Sequence, residues 1–306
     1  MSGIASIFRI PVAKVTEAEA VERIVALAKQ QAYDNKRAVF VKKAAFVATL
    51  NVDFVCNAVS GWPFGGNDEL WGYLKSADLV TADGMPIVLL SKLLRDPLPE
   101  RVTGADMVPL ICRRFAEEGL SVYVLGGDKA VVEEAFAKLG TVNGQDARCP
   151  RGVPANDQLP TTNHQLSTTN HHLPPTNYQL PTTNYQLKIA GIDDSFVKLD
   201  EEQPEIVERI NAAKPDLLFV ALGNPKQELW MGRNAARLDV PVMIGVGGTF
   251  NFITGRVKRA PRWVQRSGLE WIYRICQEPG RLWRRYAYGL AKFSWLSLCA
   301  LLGGFK

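Results

Sequence analysis

Residues 216–248, DLLFVALGNPKQELWMGRNAARLDVPVMIGVGG, contain the pattern that decides the fold. Two short apolar runs at 216–222 and 240–246 have the length and composition of buried strands. The segment 225–237 between them has helical periodicity and begins with a proline, which is favourable in the first turn of a helix. A strand, a helix and a second strand in this order are typical of parallel strands joined by a crossover helix.

The same alternation extends outward from this unit in both directions. We predict helices at 16–33, 105–118, 129–139 and 202–213, and strands at 45–50, 79–81, 121–125 and 188–190. The chain has 306 residues, of which 47% are hydrophobic, so it can bury a sizeable core. The sequence therefore predicts an α/β fold with a doubly wound, mostly parallel, Rossmann-like sheet.

Charge is distributed unevenly along the chain. The net charge is +5, yet residues 256–306 alone hold eleven Lys and Arg against two acids. We therefore predict an α/β domain over 1–255 and a basic, helical C-terminal appendage over 256–306. Such a concentration of positive charge favours an anionic partner. The candidates are a phosphorylated ligand, a membrane surface and a nucleic acid.

Aromatic residues are interleaved with the basic residues of this appendage. Four of the seven tryptophans are Trp263, Trp271, Trp283 and Trp295. Trp and Arg together favour the lipid headgroup level, and the apolar run 293–302 is too short to span a bilayer, so it resembles a shallow anchor. A helix packed on the core and a nucleic-acid-binding surface are the alternatives, and we favour the membrane surface.

A repeated segment interrupts the α/β pattern. A seven-residue unit occurs four times in 158–187, beginning QLPTTNH, and three of the units contain proline. Proline inside a helix costs about 3 kcal/mol, so a coiled coil is excluded. We predict a polar surface insertion at about 152–187. It contains all three histidines, which excludes histidine-based catalysis or metal binding in the core.

Cysteine content and the N-terminal sequence indicate the compartment. The five cysteines are scattered and include no CxxC pair, so a disulfide framework and a cysteine zinc site are both unexpected and a reducing compartment is favoured. Residues 1–20 lack a long apolar core, and we expect neither a signal peptide nor a membrane span.

Polar or glycine-rich residues follow five of the predicted strands, where α/β sheets bind their ligands. These strand ends hold Thr49 and Asn51, Asp83, Gly126 and Gly127, Gly223 to Glu228, and Gly247 and Gly248. None is a Walker loop or a complete GxGxxG fingerprint, and any one glycine is equally typical of an ordinary turn. Together they favour one crevice for a phosphate-containing ligand.

Seven short motifs occur in an order that resembles a known family. They are TLN at 49–51, ADG at 82–84, ERVTGAD at 100–106, VLGG at 124–127, GNPKQE at 223–228, GGTF at 247–250 and LEWIYR at 269–274. In combination they are similar to the WecG/TagA/CpsF family of bacterial glycosyltransferases over about residues 10–290. Asn251 stands where that pattern leads us to expect an acid.

The resemblance implies an activity and a location. Members are inverting enzymes that move a hexose or N-acetylhexosamine from a sugar nucleotide to a polyprenyl-pyrophosphate-linked saccharide, in cell-surface polysaccharide synthesis. It implies N-acetylmannosamine from a UDP-sugar, with glucose or galactose as rivals, by a protein peripheral on the cytoplasmic face of the plasma membrane. Neither a cofactor, a metal nor a nucleic-acid partner is expected, and a homo-oligomer is left open. A catalytically silent sugar-nucleotide-binding protein is the alternative.

The resemblance also implies roles for individual residues. Asp83 takes the position of the general base, with Thr49 beside it. It places Asn51 and Arg101 in the same pocket and Gln227 in contact with substrate. Together with the strand-end residues, the residues expected to bind substrate are Asn51, Arg101, Gly126, Gly127, Gly223, Lys226, Gln227, Glu228, Gly247 and Gly248. Arg274, Arg281 and Arg284 match the arginines that meet the acceptor's pyrophosphate, and their spacing by seven and three places them on one helical face.

Overall fold

The computed structural model describes residues 3–36, 44–140, 186–277 and 279–304. The predicted repeat lies outside the described residues up to position 185, and so do its three histidines. Strands are β1 (Ile4–Ile7), β2 (Ile10–Ala13), β3 (Ala45–Leu50), β4 (Leu79–Ala82), β5 (Ser121–Leu125), β6 (Lys188–Asp193), β7 (Leu217–Val220) and β8 (Val242–Gly245). Helices are α1 (Glu17–Lys36), α2 (Val52–Ala58), α3 (Asp68–Lys75), α4 (Met85–Leu93), α5 (Gly104–Glu117), α6 (Lys129–Gly140), α7 (Pro204–Ala213), α8 (Lys226–Asn234), α9 (Thr249–Thr254), α10 (Arg262–Arg266), α11 (Glu270–Gln277) and α12 (Pro279–Leu301).

Six strands form a sheet in the order β4-β3-β8-β7-β5-β6, and every neighbouring pair within it is parallel. All residues of β3, β4, β7 and β8 are buried, because helices cover both faces of the sheet. The buried side chains form two hydrophobic clusters, and alternate residues of the central strands belong to different clusters. The predicted α/β class and parallel sheet are confirmed.

Strand order places four strand ends side by side. The chain runs from β3 outward to β4, then crosses to the other half of the sheet and returns through β7 to β8, which pairs with β3. The carboxyl ends of β4, β3, β8 and β7 are therefore neighbours, at the point where the winding reverses. Open α/β sheets bind ligands in the crevice at such a point.

The N-terminal hairpin of β1 and β2 was not predicted from the sequence. Its strands pair antiparallel around a turn at Phe8 and Arg9, which both have positive φ. Two-residue hairpin turns with positive φ normally use Asn or Gly, so this turn lacked the usual sequence signal. Trp71 Nε1 donates to the Phe8 carbonyl at 3.2 Å, which ties the turn to α3.

The C-terminal helix α12 packs on the α/β domain through one side. Phe293 and Leu296 are buried, and the Phe293 ring meets that of Phe8 edge-on at 6.2 Å. Lys292 is also buried, and its ammonium donates to the carbonyls of Cys56 and Gly65. Residues three and four apart lie on the same side of a helix. The apolar run 293–302, predicted as an anchor, therefore has one side packed on the protein, at Phe293 and Leu296, and one side exposed, at Leu298 and Leu301.

The opposite side of α12 carries exposed apolar residues. They are Trp283, Leu298 and Leu301. Tyr288 and Trp295 are also exposed, but they contact Phe64 and the Trp62 carbonyl. No helix in the described part of the chain is both long and apolar enough to cross a membrane. The division of the chain at residue 255 stays a prediction.

Replacing Lys292 by Met should loosen α12, because the carbonyls of Cys56 and Gly65 would lose a buried charged donor. We expect the free energy of unfolding to fall by about 1–3 kcal/mol, and deuterium exchange in α12 to become faster. Lys258→Met, at an exposed position before α10, is the control. Equal rates of deuterium exchange in α12 of both variants would contradict the view that Lys292 holds this helix in place.

Candidate active site

A cavity of about 440 Å³ lies over the carboxyl ends of β4, β3, β8 and β7. Its floor contains Thr49, Asp83, Gly223 and Gly247 from the strand ends, as the sequence predicted. Its other wall comes from the C-terminal helices, which contribute Glu270, Trp271, Arg274, Arg285 and Tyr286. The cavity is thus built jointly by the ends of the parallel strands and by the helices α11 and α12.

Asp83 follows β4, and its backbone N–H donates to the Leu50 carbonyl at 2.8 Å. Burial raises the pKa of this carboxyl to about 7. Arg101 and Arg259 lower the pKa, whereas the carboxylates of Glu270 and Asp106 raise it further. At neutral pH Asp83 is therefore poised between its acid and base forms, as a general base requires.

Two arginines next to Asp83 are held by carboxylates. Arg101 Nη1 donates to Glu270 Oε2 at 2.7 Å, and Arg101 Nη2 donates to Gln265. Arg259 makes two contacts with Asp106, at 2.5 and 3.3 Å. Although burial opposes its ionisation, the contacts from Arg259 and Thr103 keep the pKa of Asp106 below its ordinary value. Both guanidinium groups line the cavity in defined positions.

The turns after β7 and β8 are joined by one side chain. Gln227 Oε1 accepts hydrogen bonds from the backbone N–H groups of Gly223 and Gly247, at 3.1 and 3.0 Å. Asn51 also supports the floor, because its Oδ1 accepts from Phe54 N and caps α2. Gln227 and Asn51 both line the cavity, and each also fixes the backbone beside it.

A second cavity of about 170 Å³ adjoins the first and shares Gly223, Gly247 and Gly248 with it. Gly127 and Asp128 line it at the N-terminus of α6, where Asp128 Oδ1 caps the helix by accepting a hydrogen bond from Val131 N. The glycine turns after β7 and β8 therefore separate a large compartment from a small one.

Three of the predicted binding residues lie off the cavity linings. Gly126 approaches the chain after β7 so closely that an added Cβ would lie 2.6 Å from Leu222 Cδ2. Lys226 extends over the Phe196 ring at 4.5 Å. Glu228 is fully buried below the floor. These positions indicate indirect roles, in packing or in support of neighbouring residues.

The predicted C-terminal arginines have different surroundings. Arg274 lines the cavity and lies 5.5 Å from the centre of the Phe252 ring. Arg284 lies over Trp283, outside the lining. The side chain of Arg281 is outside the described part of the structure.

Sequence reasoning missed several residues of the cavity wall. Arg285 lines the cavity and donates to Asp53 Oδ2 at 2.5 Å, which links α12 to α2. Arg259 and Glu270 flank Asp83 in space. Glu270 belongs to the motif LEWIYR at 269–274, and Arg259 begins the sequence RAP at 259–261. The spacing of these residues along the chain does not show which charges meet in space.

Asp193, the last residue of β6, pairs with Arg209 at 2.7 Å. Because β6 is the far edge strand, this carboxylate does not reach the cavity.

Comparison with known proteins agrees with the motif resemblance. The sequence profile described as "Glycosyl transferase WecG/TagA/CpsF family" matches residues 5–151 and 170–305. The chain is 30% identical over 243 residues to a Bacillus spizizenii protein, covering 79% of this chain and 75% of that protein. It is 25% identical over 253 residues to a Bacillus subtilis protein, covering 83% and 79%. Both are named N-acetylglucosaminyldiphosphoundecaprenol N-acetyl-beta-D-mannosaminyltransferase.

Glu270→Gln should lower the pKa of Asp83 below about 7, because it removes a neighbouring negative charge and frees Arg101 to attract the carboxylate. The measurement is an NMR titration of the Asp83 carboxyl carbon in the folded protein. Glu69→Gln, which breaks a surface pair with Arg233, is the matched control and should leave it unchanged. A pKa of Asp83 that stays the same in Glu270→Gln would show that the two carboxylates do not interact.

Proposed function

The chain belongs to the WecG/TagA/CpsF family of glycosyltransferases, and from that premise we propose that it transfers N-acetylmannosamine from a UDP-sugar to a polyprenyl-diphosphate-linked saccharide. The observation that carries this proposal is the Asp83 carboxyl, with a pKa of about 7, in a cavity that also presents arginines. The names of both relatives support the transferred sugar and the lipid-linked acceptor. Glucose and galactose are the alternative sugars.

Asp83 is the proposed general base. In its ionised form it takes the proton from the acceptor hydroxyl as that oxygen attacks the anomeric carbon of the donor sugar. The new C–O bond forms on one face while the bond to the diphosphate breaks on the other, so the anomeric configuration inverts. A single positioned base is sufficient for this step.

The leaving diphosphate gains negative charge as its bond to the sugar breaks. Arg101 and Arg259 line the cavity beside Asp83 and are the proposed partners of this charge. Such preorganised donors favour the transition state over the ground state. The smaller cavity at Gly127 and Asp128 is the proposed place for the nucleoside, since it adjoins the larger one across Gly247 and Gly248.

The acceptor is proposed to enter along the C-terminal helices. Arg274 and Arg285 lie on the cavity wall and suit the acceptor's diphosphate, since arginine binds phosphate through two parallel hydrogen bonds. Arg281 and Arg284 remain predicted partners of the same group. The exposed apolar side of α12 would then rest in the membrane interface, close to the lipid end of the acceptor.

Asp83→Asn should lower the transfer rate at least about a hundredfold while leaving the affinity for the donor nearly unchanged. The rate of the native protein should rise with pH through about 7 and then level off, because only ionised Asp83 accepts the proton. The measurement is acceptor-dependent UDP release between pH 5 and 9, with UDP-N-acetylmannosamine, UDP-glucose and UDP-galactose as donors.

Stability provides the control for the Asp83 variant. The native pKa lies above the ordinary value of about 4, so the folded protein binds the extra proton and loses stability as pH rises through about 7. Asp83→Asn lacks this loss and should melt at an equal or higher temperature at pH 8. Full transfer activity of folded Asp83→Asn would contradict the assignment of Asp83 as the general base.

Leu298→Glu combined with Leu301→Glu should weaken membrane binding at least about tenfold, since it places charge on an apolar surface. Both leucines are exposed on α12, so the fold should be preserved. The measurement is co-sedimentation with vesicles that contain anionic phospholipid. Ala18→Glu with Ala26→Glu on α1 adds the same charge at exposed positions and should bind as the native protein does. Unchanged sedimentation of the α12 variant would exclude this side of the helix as the contact.

A further inference from the structure

Asn224 is one of the residues that line the cavity, and both ends of its side-chain amide contact other side chains. Asn57 Nδ2 donates to Asn224 Oδ1 at 2.6 Å. Asn224 Nδ2 donates to Glu228 Oε2 at 3.0 Å. An amide can rotate by half a turn and exchange its oxygen and nitrogen. In this structure the oxygen of Asn224 faces the Asn57 donor and its nitrogen faces Glu228.

Glu228 is placed below this amide by the first turn of α8. Its side chain is 0% exposed, and its Oε1 makes no hydrogen bond of full geometric quality within the described ranges. The side-chain amide of Gln227 is nevertheless a neighbour that lowers the pKa of this carboxyl. Burial raises the pKa of this carboxyl to about 8, so it is mainly neutral at pH 7 and Oε2 still accepts a hydrogen bond. A buried carboxyl costs free energy that an apolar side chain would not, and the side chains of Gln227 and Asn224 offset only part of that cost. Packing alone therefore does not account for a glutamate here.

The end of β8 makes room for this side chain. A Cβ added at Gly245 would lie 2.9 Å from Glu228 Oε1 and 2.5 Å from Gln227 Nε2. Glycine thus allows both side chains to extend under the strand end. Gln227 then fixes the backbone of the two glycine turns, while Glu228 contacts the side chain of Asn224.

We propose that Glu228 is a positioning residue that holds the Asn224 amide with its second Nδ2 hydrogen toward the cavity, where it donates to an oxygen of the bound sugar nucleotide. Asn57 holds the oxygen end of the same amide. The proposal rests on the proposed function, since the acceptor oxygen belongs to the donor substrate. Glu228 therefore acts through Asn224 and does not itself touch substrate.

The test is a double-mutant cycle on donor binding. Glu228→Ala should weaken the binding of UDP-N-acetylmannosamine by about tenfold, the effect of one lost buried hydrogen bond. Glu228→Gln should restore affinity to within about twofold, because the new amide oxygen can accept from Asn224 Nδ2. In an Asn224→Ala background, Glu228→Ala should cause no further loss. The measurement is titration calorimetry with UDP-N-acetylmannosamine and with UDP alone.

The two titrants locate the contact. If both bind more weakly to Glu228→Ala, the oxygen that Asn224 contacts belongs to the nucleoside diphosphate. If only UDP-N-acetylmannosamine does, that oxygen belongs to the transferred sugar. Both outcomes support the proposal. Equal losses from Glu228→Ala with and without Asn224, or a Glu228→Gln variant as weak as Glu228→Ala, would overturn it.

A stability control separates positioning from packing. Ser91→Ala also removes a buried hydrogen-bonding side chain, which accepts from Leu98 N at 3.0 Å outside the cavity lining. It should lower the melting temperature without changing donor affinity. A Glu228→Ala variant that behaves in the same way would make Glu228 purely structural and overturn the proposal.

Turnover of the native protein distinguishes this proposal from the proposed function. Donor binding without transfer to any lipid-linked saccharide would contradict the proposed transferase activity and leave the role of Glu228 intact. Transfer by the native protein, together with additive effects of Glu228→Ala and Asn224→Ala on donor affinity, would contradict the role of Glu228 alone.

Discussion

The burial of the Asp83 carboxyl among opposing charges is the constraint on which the site depends. Isolated, a buried carboxylate would be strongly disfavoured, and its pKa would rise until it stayed protonated at neutral pH. Arg101 and Arg259 offset this effect, while Glu270 and Asp106 hold the two arginines in place and limit their influence. The result is a pKa of about 7, which is suited to proton transfer near neutrality.

This balance requires parts of the chain that are distant in sequence. Asp83 follows β4 and Arg101 precedes α5, whereas Arg259 precedes α10 and Glu270 begins α11. The pairs Arg285 with Asp53 and Lys292 with the carbonyls of Cys56 and Gly65 connect α12 to the segment around α2. The C-terminal segment therefore has two physical roles, as the wall that encloses Asp83 and as the carrier of an exposed apolar surface. A displacement of these helices would alter the charge of the site as well as its shape.

The sequence predicted the parallel sheet well, because fully buried strands are continuous apolar runs with glycine or polar residues at their ends. The strand 45–50 and the strand 121–125 agree with β3 and β5 in both bounds. The hairpin of β1 and β2 was missed because Phe8 and Arg9 adopt positive φ without the residues that usually signal it. The run 293–302 was read as one anchor because composition does not show which side of a helix faces the core. Phe293 and Leu296 pack inward, while Leu298 and Leu301 remain exposed.

The sequence by itself determined the fold class, the strand ends that bear polar residues, the basic character of the C-terminal segment and the family to which the chain belongs. These properties follow from local patterns, since periodicity, glycine positions and short motifs are written in consecutive residues. Only the tertiary structure decided which charges surround Asp83, that Glu270 pairs with Arg101, and that Glu228 lies beneath Asn224. Strand order and helix packing bring these groups together, and both depend on contacts between residues separated by many positions in the chain. Electrostatic interactions depend on those distances, so the chemistry of the site was fixed by folding.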